Sequence, residues 1–174
     1  MPPVETPASS SRGVPFWLVA LALALLVLRL AAGWKETSHP PRAVELVQWR
    51  PVASAEAEAR ASGLPLLYDF SAEWCGPCQR MQREVFADRR SAQTLNALFV
   101  PVHLVDTQRE TGRNEPAVQA LQERYRVGAF PTLVVAPLDG GEPTIIVGYP
   151  GKPALMQQLA AAGVKARLSK IPGH

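Results

Sequence analysis

Two cysteines, Cys75 and Cys78, are the residues of this 174-residue chain whose type and spacing most directly indicate chemistry. They are its only cysteines, and they stand in the stretch Trp74-Cys75-Gly76-Pro77-Cys78. Two thiols separated by two residues can close a disulfide within one helical turn and then reopen it. Because no third thiol is present to mispair with them, the spacing points to reversible thiol–disulfide exchange.

A metal site is the competing interpretation of the two thiols. A structural zinc ion needs four ligands, usually supplied by a second Cys-x-x-Cys pair or by paired histidines. The histidines of this chain are His39, His103 and His174, which are far apart and do not pair with the cysteines in sequence. We therefore expect no metal and no cofactor, the redox-active disulfide Cys75–Cys78 being the reactive group.

Composition places the thiols in a globular domain. Hydrophobic residues make up 47% of the chain and charged residues 19%, which suits a packed core better than a disordered chain. The formal net charge is +3, and the basic residues are scattered among acidic ones instead of clustering. We expect no binding of nucleic acid. Two cysteines are also too few for a small disulfide-stapled secreted domain.

The N-terminal part differs in composition from the rest. Residues 1–13 are rich in Pro and Ser and predict a disordered tail, and residues 14–34 predict an apolar segment with aromatic residues at both ends. Three interpretations compete for that segment: an uncleaved transmembrane anchor, a cleaved signal peptide ending near Ala31-Ala32-Gly33, and a buried core helix. We favour the anchor, because Arg29 is awkward before a cleavage site and a soluble helix would show a polar stripe.

The membrane orientation is not fixed by charge alone. Arg12 precedes the segment, whereas Arg29, Lys35 and Arg42 lie at or beyond its C-terminal end. Taken by itself, this bias would leave the following domain in the cytoplasm. Residues 35–43 predict a short linker, residues 44–165 a folded domain, and residues 166–174 a tail.

The folded domain alternates strands and helices, which predicts an α/β fold. We expect a mixed central sheet with helices on both faces and an antiparallel hairpin that turns at Asp139-Gly140-Gly141. Residues 107–114 are polar and predict a loop. The predicted strands are 44–49, 66–70, 99–105, 132–136 and 143–147, and the predicted helices are 52–61, 75–86, 92–98, 116–125 and 152–162.

Over roughly residues 44–165 the chain resembles the thioredoxin family. The resemblance rests on motifs that occur in the expected order on the expected elements. They are Asp69-Phe70, then Ala72-Glu73-Trp74-Cys75-Gly76-Pro77-Cys78, then Val127-Gly128-Ala129-Phe130-Pro131-Thr132, and finally Gly148. Within that family the chain is similar to membrane-tethered members, in particular to the C-terminal periplasmic domain of the bacterial thiol–disulfide interchange reductases. This resemblance implies a single-pass inner-membrane protein whose catalytic domain is periplasmic, despite the charge bias.

Each cysteine is expected to have its own task. Cys75 opens a helix, where unpaired backbone N–H groups favour a thiolate, and the Trp-Cys-Gly-Pro start is expected to expose its sulfur. We expect Cys75 to attack a substrate disulfide and Cys78 to resolve the mixed disulfide. Asp69 interrupts an apolar strand, and by resemblance it is the buried acid that exchanges protons with Cys78. Where the family often has a lysine near this acid, the chain has His103, which either replaces the lysine or is simply an edge residue.

The expected substrate surface surrounds the thiols. By resemblance, Pro131 is a cis proline facing the disulfide, and Phe130 replaces a smaller aliphatic residue. Trp74 is expected to shield the thiol, and Gly76 and Pro77 to set the start of the helix. Because the Gly-Pro pair resembles reducing members of the family, we expect a reductant.

The expected function is thus reduction of disulfides in exported proteins by a membrane-anchored monomer that draws electrons from a membrane thiol–disulfide donor. Two alternatives stay open. One is a dedicated reductant in cytochrome c maturation. The other is a thioredoxin-fold binding or chaperone module without redox turnover.

Overall fold

The computed structural model describes residues 16–37 and 46–169. The chain divides into two units, Met1–Arg42 and Ala43–His174, which are described separately. The tail at 1–13, most of the expected linker and the last five residues lie outside the described ranges. The first unit contains helix α1 (Phe16–Thr37), whose described side chains from Phe16 to Leu26 are exposed. Within the two described ranges, no helix is both long enough and apolar enough to cross a membrane.

A four-stranded mixed sheet forms the centre of the second unit, in the order β2-β1-β3-β4. Its strands are β1 (Leu66–Ala72), β2 (Val100–Asp106), β3 (Thr132–Ala136) and β4 (Thr144–Val147). The β1–β2 pair is parallel, and the β1–β3 and β3–β4 pairs are antiparallel. This arrangement confirms the predicted α/β fold with its C-terminal hairpin.

Six helices accompany the sheet in residues 46–169. They are α2 (Val52–Ser62), α3 (Gly76–Met81), α4 (Arg89–Leu98), α5 (Gln108–Thr111), α6 (Pro116–Tyr125) and α7 (Lys152–Leu168). The predicted helix at 75–86 is divided, because α3 continues into a π-helical turn at Gln82–Phe86. In that turn the backbone N–H of Ala87 reaches back five residues to the carbonyl oxygen of Gln82, at 2.9 Å.

Each face of the sheet carries its own hydrophobic cluster. On the face that we call the α6 face, Tyr68, Phe70 and Val134 pack against α2 and α6. On the opposite face, which we call the α3 face, Leu67 and Leu133 pack against α3, α4 and α7. Successive residues of β1 alternate between these faces, so Asp69 and Ser71 lie on the α3 face with Leu67.

The predicted strand at 44–49 is wrong over its described part, residues 46–49. The backbone there is extended and Val47 is buried, which explains the alternating pattern. Its contacts are isolated, however: Gln48 N–H donates to Asn96 Oδ1 at 2.9 Å, and Arg50 N–H donates to Pro101 O at 2.8 Å. An extended segment with one buried side shows strand periodicity without forming a ladder.

The segment predicted as a polar loop contains the short helix α5. Its ends are joined by side-chain hydrogen bonds, which sequence periodicity does not reveal. Asn114 Oδ1 accepts from Thr107 N–H at 2.7 Å, and Thr107 Oγ1 donates to the carbonyl oxygen of Arg113 at 2.9 Å. Local side-chain bonds of this kind order a turn without an apolar stripe.

Candidate active site

The two cysteines close a disulfide at the start of α3. The S–S distance is 2.05 Å and the Cα atoms are 5.3 Å apart. Cys75 caps the helix, since its sulfur accepts a hydrogen bond from Cys78 N–H at 3.2 Å. Pro77 lies in the first turn, where a missing N–H costs no hydrogen bond. A side chain added at Gly76 would meet no atom within 4 Å, so the surface above the helix start is open to a partner.

Both cysteines are buried in this oxidised form. Cys75 is 3% exposed and Cys78 is 6% exposed. The expectation that the first sulfur is exposed is therefore corrected. The reason is tertiary, because Ala72 and the two cysteines form a small cluster and Phe130 packs against it from a distant part of the chain.

An aromatic and cationic rim borders the disulfide. Trp74 is 48% exposed, and its ring meets that of Phe130 edge to face at 5.9 Å with an angle of 74°. The guanidinium carbon of Arg109 lies 4.6 Å from the centre of the Trp74 ring, which is cation–π geometry. Arg109 was not among the predicted site residues, because α5 was expected to be a loop.

The Phe130–Pro131 peptide bond is cis, as predicted. Pro131 is buried, and its carbonyl oxygen accepts from Gly148 N–H at 2.8 Å. Thr132 Oγ1 also donates to the carbonyl oxygen of Ala129 at 2.8 Å. These two bonds fix the segment that places Phe130 against the cysteine pair.

Asp69 is a buried carboxylate on the α3 face, 1% exposed. Its Oδ2 lies 2.9 Å from Nδ1 of His103, and its Oδ1 has no hydrogen-bond partner among the described residues. The parallel register of β1 and β2 places Asp69 directly beside His103. His103 thus lies on an edge strand, as the second interpretation had it, and it also contacts the acid, as the first had it.

The His103 ring is held by two further residues. Its Nε2 lies 3.4 Å from Ser71 Oγ, and its centre lies 5.2 Å from the ring centre of Trp49. The side chain of His103 is 28% exposed, so one part of the ring touches the buried acid while another part reaches solvent. The sequence offered the contact of His103 with Asp69 as one alternative, but it did not predict the contacts with Trp49 and Ser71, which come from separate elements.

A hydrogen-bonded carboxylate anchors the segment that carries Arg109. Asp106 Oδ2 accepts from the side-chain amides of Asn114 and Gln122, at 2.7 and 2.9 Å, and Asp106 Oδ1 accepts from the backbone N–H of Gln108 at 3.2 Å. Burial acts to raise the pKa of Asp106, but these three donors together outweigh it and hold the pKa below its ordinary value. The network connects the end of β2 to α5 and α6.

A second polar contact ties the π-helical turn to the segment after β4. Tyr149 Oη donates to Glu84 Oε2 at 2.6 Å, and Arg80 Nε donates to Glu84 Oε1 at 2.8 Å. Burial, followed by this bond, raises the pKa of Tyr149 to about 12, and the tyrosine and arginine lower the pKa of Glu84. In the two described ranges, no group of three or more His, Cys, Asp or Glu side chains has the geometry of a metal site.

Comparisons with known proteins agree with this geometry. The family model of the thioredoxin-like domain matches residues 52–163. The chain is 34% identical to a thioredoxin of Mycobacterium tuberculosis over 111 residues, which are 62% of this chain and 82% of the relative. It is 25% identical over 150 residues, 82% of this chain, to the thiol:disulfide interchange protein DsbD of Yersinia pestis, of which the match covers 24%.

Solved structures show the same fold. The solution structure of a thioredoxin from Thermus thermophilus aligns with a TM-score of 0.55 at 28% identity, over 69% of this chain and 89% of that one. A structure described as DsbH oxidoreductase aligns with a TM-score of 0.60 at 22% identity, over 72% of this chain and 90% of that one. The family model matches more than half of the chain, and the cis proline and the disulfide at the helix start agree with it. The chain therefore belongs to the thioredoxin-like family, and its Cys75–Cys78 pair is that of a thiol–disulfide oxidoreductase.

Proposed function

We propose that this protein reduces disulfides of exported proteins through a dithiol–disulfide cycle of Cys75 and Cys78. The observation that carries the proposal is the Cys75–Cys78 disulfide at the start of α3, with Cys75 as the helix cap and a rim of Trp74 and Phe130 beside it. The direction of the cycle is supported by Gly76-Pro77, which resembles reducing members of the family, and by relatives that are themselves named thioredoxin.

The cycle requires two exchanges. In the reduced protein, the Cys75 thiolate attacks one sulfur of a substrate disulfide, a new S–S bond forms, and the other substrate sulfur leaves as a thiolate that takes up a proton. Cys78 then loses its proton, with Asp69 as the proposed acceptor, and attacks the sulfur of Cys75. The Cys75–substrate bond breaks and its electron pair leaves on the second substrate sulfur. The substrate gains two electrons and the protein returns to the disulfide.

The rim provides the proposed substrate surface. Trp74 offers an exposed apolar ring, Phe130 packs against the cysteine cluster, and cis Pro131 follows Phe130 in the chain. Both cysteines are buried, so we propose that a substrate shifts Phe130 as it reaches the disulfide. An incoming extended chain adjacent to the cis proline would be held by backbone hydrogen bonds in the manner of an added strand.

We further propose that α1 tethers a monomeric catalytic domain to the inner membrane, with the domain in the periplasm and electrons supplied by a membrane thiol–disulfide carrier. The support is the sequence of α1, which has no charged residue between Phe16 and Leu28, together with the similarity to the interchange protein DsbD. An oxidising compartment of this kind lacks a reducing thiol pool, which makes a membrane donor necessary.

Insulin reduction tests the chemistry. We expect the full chain to reduce insulin when a dithiol recycles it. We expect Cys75→Ser to lose activity by at least about a thousandfold, since the one remaining thiol, Cys78, cannot complete an exchange that needs two thiols. The matched variant Cys78→Ser keeps Cys75 and is expected to stop after one turnover with substrate bound. Activity that survives Cys75→Ser would refute the catalytic assignment of Cys75, whereas a wild-type chain that reduces no insulin would leave the binding-module alternative.

Two cellular experiments test location and breadth. A reporter fused after His174 is expected to be active only when that enzyme works outside the cytoplasm, and activity confined to a cytoplasmic reporter would refute the orientation. Proteins trapped on Cys75 by Cys78→Ser identify the substrates. Many exported proteins would support general reduction, whereas a single apocytochrome would favour the dedicated alternative.

A further inference from the structure

We propose that His103 is a positioning residue that connects Asp69 to solvent, so that the ionisation of an imidazole sets the pH range in which Cys78 releases substrate. This inference rests on the proposed function, since it assigns a role within the second exchange. It concerns a position near the buried acid where the family often has a lysine and this chain has a histidine.

His103 contacts the buried acid on one side and solvent on the other. Asp69 is 1% exposed and its hydrogen bond runs from Oδ2 to Nδ1 of His103, at 2.9 Å. His103 belongs to an edge strand, and its side chain reaches solvent. The imidazole therefore joins a carboxylate that water does not reach to the protein surface.

The ring is fixed in the position that this role needs. Ser71 Oγ lies 3.4 Å from Nε2, and Trp49 packs on the ring at 5.2 Å with an angle of 42° between the planes. Ser71 lies two residues beyond Asp69 on the same face of β1, so one strand supplies both contacts. An aromatic neighbour and two hydrogen-bonding groups leave the imidazole little freedom to turn away from the acid.

Arg50 and Asp106, the charged residues on the segments beside Trp49 and His103, have other partners. Arg50, next to Trp49, pairs with Glu58 of α2 at 2.7 Å, and Asp106, three residues after His103, accepts from Asn114 and Gln122. Helices α2 and α6 cover the opposite face of the sheet. The buried residues of α4, the helix on the side of His103, carry no charge: they are Ser91, Ala92 and Leu95. Asp69 is thus the carboxylate that the structure places on His103.

Two ionisable groups in direct contact titrate as a unit. The imidazole is the side chain whose charge ordinarily changes between about pH 5 and 8, and a proton bound to it lies on the path between Asp69 and solvent. Once that proton has left through the exposed ring, the carboxylate can accept the proton of Cys78. The resulting Cys78 thiolate attacks Cys75, and the proton then passes to solvent through His103. Release of substrate therefore slows as the pH falls through the titration of the pair.

Rapid acid quench of single turnovers tests this mechanism. The reduced full chain is mixed with an excess of a synthetic peptide disulfide, and mass spectrometry follows the decay of the mixed disulfide on Cys75 from pH 5 to 8.5. We expect the wild-type release rate to fall by about tenfold per pH unit below a bend in this range. In His103→Lys, whose side-chain charge does not change over this range, we expect no bend between pH 5 and 8.5. In His103→Gln we expect the bend to move by at least about half a pH unit.

A double-mutant comparison separates this role from a structural one. If His103 acts through Asp69, then Asp69→Asn removes the bend and adding His103→Gln changes the profile no further. A wild-type bend that persists unmoved in His103→Gln, with the whole curve merely lowered, would overturn the proposal. A release rate that still depends on residue 103 in the Asp69→Asn background would overturn it as well.

An NMR titration keeps this test independent of turnover. In the oxidised full chain labelled with nitrogen-15 at histidine, the His103 signals are assigned by their loss in His103→Gln. We expect the titration midpoint to drop in Asp69→Asn, because a neighbouring carboxylate favours the imidazolium. An unchanged midpoint would overturn the proposal. Failure of the proposed function would show differently, as insulin reduction that survives Cys75→Ser while the coupling between Asp69 and His103 stands.

Discussion

The two faces of the sheet are covered equally well but filled differently. On the α6 face, β1 contributes aromatic and aliphatic side chains, with Tyr68 and Phe70 packed near Tyr125. On the α3 face, the same strand contributes Asp69 and Ser71 between apolar neighbours. The acid of β1 therefore lies on the side of the helix that begins at the disulfide. One face is filled by apolar side chains, whereas the other gives up part of its apolar area to a buried acid, the residue to which we assign the proton of Cys78.

Phe70→Ala should have the largest effect on folding and breaks the α6 face. Removal of a fully buried phenylalanine typically costs about 3–5 kcal/mol of unfolding free energy. We expect a loss of that size in denaturant unfolding, while insulin reduction per folded molecule stays within about twofold. The matched variant Phe99→Ala removes an equally buried ring from the α3 face. A tenfold loss of activity per folded molecule in Phe70→Ala would show that the two faces are not separate in function.

Asp69→Ala should have the opposite consequences. The Asp69 carboxylate loses its hydration on burial, and its Oδ1 has no hydrogen-bond partner among the described residues, so its removal relieves that cost. His103 is partly exposed and is not left as a buried charge. We expect the unfolding free energy at pH 7 to be unchanged or raised by up to about 2 kcal/mol, with slower release of substrate. A loss of more than about 1.5 kcal/mol would mean that the acid serves the fold rather than the reaction.

Tyr68→Phe tests the α6 face at alkaline pH. Burial, together with nearby Tyr125 and Glu56, raises the pKa of Tyr68 to about 12 from an ordinary value of 10.0. Because the pKa in the folded state is the higher one, this contribution to stability is complete below about pH 10 and is lost as the pH rises towards 12. We expect the unfolding free energy of Tyr68→Phe to fall less steeply with pH than that of the wild type across that range. Coincident unfolding curves would contradict the assignment.

Arg109→Ala should have the smallest effect on activity, because it removes only the contact of Arg109 with Trp74 at the rim. A solvent-exposed cation–π contact contributes about 0.5–1 kcal/mol. We expect KM for insulin to change by no more than about threefold with kcat unchanged, and the fluorescence of Trp74 to shift. Arg113→Ala removes the same charge from the same segment and serves as control. An equal shift in both variants would make the effect one of net charge.

The sequence was sufficient where the relevant forces are local. The disulfide, its helix start and Asp69 could be predicted because a cap, a proline in the first turn and a charge in an apolar strand act within a few residues. The cis bond before Pro131 followed from its motif. The order of elements followed from hydrophobic periodicity, which failed at 46–49 because an extended segment with one buried side shows the same alternation.

The features that the sequence did not reveal depend on contacts between distant segments. The sequence offered contact between His103 and Asp69 as one of two interpretations, and the choice between them depends on the register of two parallel strands, which is set by packing of the whole sheet. Burial of Cys75 depends on Phe130, which arrives on a later element. Arg109 reaches Trp74 because Asp106, Asn114 and Gln122 fold its segment back, a network of polar residues without any periodic pattern.

The covered disulfide has a consequence for how the protein is recharged. A small reductant such as glutathione has to approach a sulfur along the S–S axis, and it has no large apolar surface with which to displace Phe130. A docking protein can contribute such a surface and open the cover as it binds. At equal concentration, we therefore expect a small thiol to reduce the oxidised protein more slowly than a protein partner that fits the rim. The rate at which electrons reach the disulfide would then depend on how well a partner recognises the rim.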